Sequence, residues 1–213
     1  MKYILSYDVE TTGPRIGINN LLAVGLAVAK FDKNGYEFVD SIEVHIENEA
    51  LIFDKGTCEF WGKNKEAFDK LTQGAIDKHI CADMLIDFIK KYQQLAFDKQ
   101  CEFLFLTDNC WFDNLWINWF LCVYGTDGYP LRYNYINVNE FNEPKYMALD
   151  KCIDLNQRVQ AIKGDINQIE FNIKVPIEEH VSHDHTPVND AKGIIQKYWQ
   201  YMLSSKPYRK RVK

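Results

Sequence analysis

The residues with chemistry to offer are carboxylates and one histidine, gathered in three short stretches. The first is Tyr7-Asp8-Val9-Glu10-Thr11-Thr12-Gly13. It closes the apolar run 3–7, whose β-branched and aromatic bias fits a strand. Side chains alternate across a strand, so Asp8 and Glu10 point to the same face. Two carboxylates so close are costly to ionise together unless a cation lies between them. A hard divalent cation with oxygen ligands, Mg²⁺ or Mn²⁺, matches that need. Taken alone, the pair also fits a solvated strand end running into a turn.

The second stretch is Asp108-Asn-Cys-Trp-Phe-Asp113. Asp113 falls in the first turn of an apolar helix, where the helix dipole favours an acid. Its neighbours Trp116, Ile117 and Phe120 turn that face inward, and a carboxylate there needs a partner. The third stretch runs from His183 to Ala191. Asp190 shares a stripe with Ile194 and Tyr198, an unusual place for an acid that is neither paired nor metal-bound. His185 precedes it by five residues, so both can serve one site; a plain loop histidine is the alternative. His180, His183 and His185 allow a zinc cluster in principle, but no cysteine or fourth ligand has zinc-like spacing.

The elements that must position these groups are legible in part. Residues 21–29 form a continuous apolar run, fit for a central strand buried on both faces. Lys33-Asn34-Gly35 supplies a hairpin turn. Phe38, Ile42, Val44 and Ile46 then fall on one phase, with Glu37, Glu43 and His45 on the other. Residues 2–46 therefore read as a three-stranded antiparallel meander. A helix-like segment follows to about Leu71. Ile80, Cys81, Met84, Leu85, Phe88, Ile89 and Tyr92 recur at helical spacing. Residues 103–106 read as a short buried strand, and 112–124 as a largely buried helix. A strand near 135–138 and a helix around 145–153 are expected beyond it. A last helix carries Val188, Ala191, Ile194, Ile195, Tyr198, Trp199 and Met202, opened by Thr186 as N-cap and Pro187 at its first position. Strands first, then alternating helix and strand, argue a mixed α/β sheet flanked by helices.

Composition sets outer bounds. At 213 residues one domain is the default, here 1–205 with a basic tail 206–213. The tail reads as solvated or as a phosphate-contacting arm. A net charge of −5 makes no global case for nucleic-acid binding. The six cysteines form no Cys-x-x-Cys pair, which argues against a zinc ribbon or redox motif. No secretory signal or spanning helix is indicated. The expectation is a soluble cytoplasmic protein with reduced thiols.

Asp-x-Glu-Thr-Thr-Gly at 8–13, Asn-x-x-Phe-Asp at 109–113 and His-x-x-x-x-Asp-Ala at 185–191 together resemble the DEDDh 3′–5′ exonucleases of the ribonuclease H-like superfamily. The resemblance spans residues 3 to about 200. Thr186, not Tyr, stands four before Asp190, which matches the histidine subtype. Residues 57–67 are similar to an aromatic segment of phage and bacterial members. Asp108 stands where members often carry His, and Pro187 where they often carry Ala; neither is expected to touch a ligand. The resemblance implies a ribonuclease H-like mixed five-stranded sheet, a three-strand antiparallel meander plus parallel strands, flanked by helices. It implies that Asp8, Glu10, Asp113 and Asp190 hold two Mg²⁺ or Mn²⁺ ions about 4 Å apart. His185 would be general base in releasing 5′-mononucleotides from a 3′ end. Thr11, Thr12 and Gly13 would line the terminal nucleotide. Phe60, Trp61, Trp111 and Phe112 are candidates for stacking on bases, with core packing the alternative for most of them. Single-stranded DNA is the favoured partner and RNA ends or short oligonucleotides the alternative. A silent nucleic-acid-binding domain of the same fold is a third reading. Oligomeric state is left open, a homodimer included.

Overall fold

A computed structural model of the chain describes residues 1–109, 111–126, 153–154, 181 and 184–204. Its centre is a mixed sheet of β1 (Lys2–Thr11), β2 (Leu21–Phe31), β3 (Tyr36–His45) and β4 (Glu102–Thr107). A two-residue β5 (Ile153–Asp154) pairs with the end of β4. The order is β3-β2-β1-β4-β5. β1, β2 and β3 are antiparallel, and β4 runs parallel to β1. The expected mixed sheet is therefore present, with the fifth strand described over two residues only.

Alternation along β1 sorts the two faces. Tyr3, Leu5, Tyr7 and Val9 enter a core with α3 (Lys78–Asp98) and α4 (Asp113–Tyr124). Ile4 enters a second core with Ala27, Ala29, Phe31 and the stripe Ala191, Ile194, Ile195 and Tyr198 of α5 (Pro187–Ser204). Asp8 and Glu10 share parity with Ile4, so they lie on the α5 side. β2 is buried along its whole length except Lys30, as expected for a strand covered on both faces. Fully buried Leu85, Ile89 and Phe120 each contribute about 1.5–3 kcal/mol through apolar burial.

Several expectations change. A bulge in the β2–β3 pairing, where Val28 faces Asp40 and Ala29 faces Phe38, inserts Val39 and reverses the phase. Phe38 thus shares the α5 face with Tyr36, 5.4 Å away, and not the phase of Ile42 and Val44. The segment ending near Leu71 is two helices, α1 (Lys55–Lys63) and α2 (Lys65–Thr72). They break at Asn64, whose side chain returns to the Phe60 carbonyl at 3.0 Å and competes with the helical ladder. Ile80 and Met84 lie on the exposed side of α3, as do Leu115 and Val123 on α4. Ile153 is in a strand, not at a helix end. The strand near 135–138, the rest of the helix around 145–153 and the tail 206–213 lie outside the described residues. No described helix is long and apolar enough to cross a membrane.

Candidate active site

β1 outruns its parallel neighbour. Pairing with β4 ends at Ser6–Leu106, whereas β1 continues to Thr11. Asp8 and Glu10 therefore stand at the carboxyl end of the parallel pair, where open α/β sheets form crevices. Across β2 they face Gly25 and Ala23.

The β4–α4 loop brings the second acid. Thr107 is fully buried at the end of β4, and its hydroxyl donates to Asp113 Oδ2 at 2.5 Å. The same hydroxyl accepts from the Asn109 amide at 3.2 Å. The 113 amide closes a turn onto the Asn109 carbonyl at 3.0 Å. On the opposite face, Tyr7 donates its hydroxyl to Asn114 Oδ1, which ties α4 to β1. Asp113 is thereby held inward, 4% exposed.

The third stretch arrives on α5. A Cβ on Gly25 would lie 2.1 Å from the Pro187 carbonyl carbon, so the bare glycine is what lets α5 settle onto β2. The Thr186 carbonyl accepts from the amides of Asn189 and Asp190 and starts the helix. Asp190 is buried in the first turn. Just before it, His185 adopts φ 59°, a left-handed conformation that a residue with a Cβ takes at a cost. That turn aims its ring at β1: His185 Nδ1 lies 3.9 Å from Glu10 Oε1.

The five expected residues thus converge, in two groups. Donor atoms of Glu10, His185 and Asp190 lie within 4.8 Å of one another, and so do those of Asp8, Asp108 and Asp113. Asp108, expected to touch no ligand, is instead part of the second group. It also lies 3.9 Å from Lys197 Nζ of α5.

Electrostatics follow from that crowding. Burial, then Asp190, Asp113 and Glu43, push the Glu10 carboxyl from its ordinary 4.5 to about 8. Burial and then Asp113, Glu10, Asp190 and Asp108 raise Asp8 well above the usual carboxylate range. All-oxygen donors that resist ionising together, with one imidazole beside them, are a donor set that suits hard divalent cations.

The expected substrate-binding residues fare differently. Thr11 Oγ1 is engaged with the Gly13 backbone, and Thr12 Oγ1 donates to the Ile52 carbonyl at 2.7 Å and accepts from the Asn20 amide at 2.8 Å. Their hydroxyls bind the loop together. Gly13 is needed for packing, since a Cβ there would sit 2.6 Å from Asn19 Oδ1 and 2.8 Å from Asp54 Cβ. Trp61 is buried with Leu22, Ala23 and Leu71, and its indole N–H donates to the Thr11 carbonyl at 2.9 Å. Phe112 is half-buried against the α3–α4 core. Phe60 stands edge-on to His185 with centroids 4.9 Å apart, and Trp111 is 74% exposed. Sequence reasoning missed Thr107 and Gly25 as parts of the site. Their signals, a threonine ending a buried strand and a glycine in an otherwise aliphatic run, acquire meaning only once a partner lies over them.

This arrangement has counterparts of known structure. A structure of exonuclease I, described as suggesting how processivity is achieved, superposes with a TM-score of 0.61 at 13% identity, over 98% of this chain and 42% of that one. The chain therefore shares the fold of exonuclease I. E. coli exonuclease I in complex with a dT13 oligonucleotide superposes with a TM-score of 0.56 at 11% identity, over 98% and 42% of the two chains. The present chain thus spans about two fifths of the length of these exonuclease I chains. No protein-family model and no curated protein sequence matches it. In this fold every acid of the candidate site lies at the carboxyl ends of β1 and β4 or on the first turn of the helix that follows or covers them.

Proposed function

We propose that the protein is a metal-dependent 3′–5′ exonuclease that releases 5′-mononucleotides from nucleic-acid 3′ ends, with single-stranded DNA as the favoured substrate. The observation that carries this reading is the convergence of Asp8, Glu10, Asp113, His185 and Asp190 from three distant stretches into two adjoining donor groups. Asp8, Glu10, Asp113 and Asp190 are the residues that would hold Mg²⁺ or Mn²⁺, with Asp108 beside them. Cations bound there would supply the positive charge that acidifies the attacking water and stabilises the leaving 3′-oxygen.

The chain's own groups do the rest. His185 accepts the proton of the attacking water, a task suited to an imidazole. Its Nδ1 lies 3.9 Å from Glu10 Oε1, which holds the ring beside the acids. Thr107 orients Asp113 through its hydroxyl. Phe60 beside His185, and Trp111 two residues before Asp113, are the aromatic groups with exposed surface to offer a terminal base. A chain of the same fold, E. coli exonuclease I, has been captured with a dT13 oligonucleotide, in keeping with a DNA substrate.

The test is incubation with 3′-labelled single-stranded DNA or matched RNA plus Mn²⁺. Mononucleotide release that disappears in Asp8→Ala is expected, faster on DNA. Absence of release from the unaltered chain, or release undiminished in Asp8→Ala, refutes the proposal.

A further inference from the structure

Glu43 lies outside the acidic groups that converge on the crevice, yet it reaches across the sheet to α5. Its register partner is Gly25, and Gly25 in turn faces Asp8. Glu43 therefore stands in the same cross-strand row as Asp8, on the same face, with only a glycine between them. Pro187 and Val188 rest on that glycine.

The Glu43 carboxylate is divided between two partners. Oε2 accepts the backbone N–H of Val188 at 2.9 Å. Oε1 lies 2.8 Å from His45 Nε2, whose Nδ1 is 3.1 Å from the Gln73 carbonyl oxygen. Val188 is the second residue of α5, so its N–H is one of the donors that a helix start leaves without an intrahelical acceptor. An anion placed there also meets the positive end of the helix dipole. The usual solution is a capping side chain one to three residues away. Here the acceptor comes from a strand 145 residues distant. His45 and Gln73 in turn brace that acceptor from the far side.

We infer that Glu43 is a positioning residue that sets His185 and Asp190 over Asp8 and Glu10 by capping α5 from β3. Val188 lies three residues after His185 and two before Asp190, so the pinned amide sits between the two groups it locates. Gly25 lets the helix start approach the sheet, and Glu43 fixes where along the sheet it lands. The inference builds on the exonuclease reading for its kinetic consequence, but its structural half stands apart from that activity.

The full chain is compared with Glu43→Ala and Glu43→Gln in two measurements. The first is kcat and KM on a 3′-labelled single-stranded DNA oligomer with Mn²⁺. The second is amide hydrogen exchange at Val188 by NMR in metal-free protein. In Glu43→Ala, kcat is expected to fall by about 10- to 100-fold with KM little changed, because misplaced reacting groups lose rate rather than affinity. Val188 exchange should accelerate about tenfold on loss of its acceptor. Glu43→Gln keeps an amide oxygen for Val188 and should recover most of both. Unchanged kcat and unchanged Val188 exchange in Glu43→Ala overturn the inference, as does a loss confined to KM. If Glu43→Ala does not fold, Glu43→Gln decides: the inference fails if that variant loses activity while Val188 keeps its protection, or loses Val188 protection while activity is unchanged. If the unaltered chain shows no nuclease activity, the exonuclease reading falls, and Val188 exchange still decides what Glu43 does.

Discussion

Replacing Glu10 with glutamine should stabilise the metal-free protein at alkaline pH. Burial and the Asp190, Asp113 and Glu43 charges raise Glu10 from 4.5 to about 8, so the folded state prefers the acid protonated. At about 1.4 kcal/mol per tenfold in proton affinity, that interval corresponds to about 5 kcal/mol. The sign follows from linkage. The folded state binds the proton more tightly, so the stabilisation is complete below 4.5 and is lost as pH rises through about 8. Between these limits the unaltered chain should lose several kcal/mol. Glu10→Gln, which resembles the protonated acid, should lose much less. A residual slope remains from Asp8, which is raised by burial and by Asp113, Glu10, Asp190 and Asp108. Denaturant unfolding of both proteins in EDTA at a series of pH values reads this directly. Saturating Mn²⁺ should restore stability to the unaltered chain at high pH, by about 2.7 kcal/mol at a hundredfold excess over Kd, and restore less to Glu10→Gln. Parallel pH profiles for the two proteins in EDTA, or no fall in the unaltered chain across this window, would refute the reasoning.

Other perturbations have equally definite outcomes. His185→Ala should retain Mn²⁺ binding by calorimetry but lose most turnover; His185→Gly should lose turnover equally yet unfold at about 1 kcal/mol higher stability than His185→Ala, since glycine takes φ 59° without strain. Gly25→Ala should cost about 1–3 kcal/mol in denaturant titration and lower kcat, because its methyl would collide with Pro187. Trp61→Phe should cost about 1 kcal/mol through the lost bond to the Thr11 carbonyl while leaving KM unchanged; a rise in KM without loss of stability would instead make Trp61 a base-stacking surface.

How far the chain could be read without coordinates depends on the range of the forces involved. Period-two alternation put Asp8 and Glu10 on one face of β1, and a helical stripe put Asp190 on the inner face of α5. Both are local consequences of backbone geometry. The failures are local rules overridden from a distance. The inserted Val39 turned Phe38 to the other face, a bulge defined only by the pairing of β3 with β2. Leu115 and Val123 look like core residues on α4 but face outward, since hydrophobicity alone does not say which side a neighbour will cover.

Residue type and order alone specified the mixed sheet, its buried central strand, and three acidic stretches with chemistry in common. They could do so because strand and helix periodicities are short-range and each stretch lies on a periodic element. Only the tertiary structure decided that the stretches meet in two groups, that Asp108 belongs to one of them, and that α5 is seated by a glycine on β2 and a carboxylate on β3. Those facts depend on contacts between residues more than a hundred positions apart, such as Glu43 with Val188, and on the burial of Glu10 among acids from other elements.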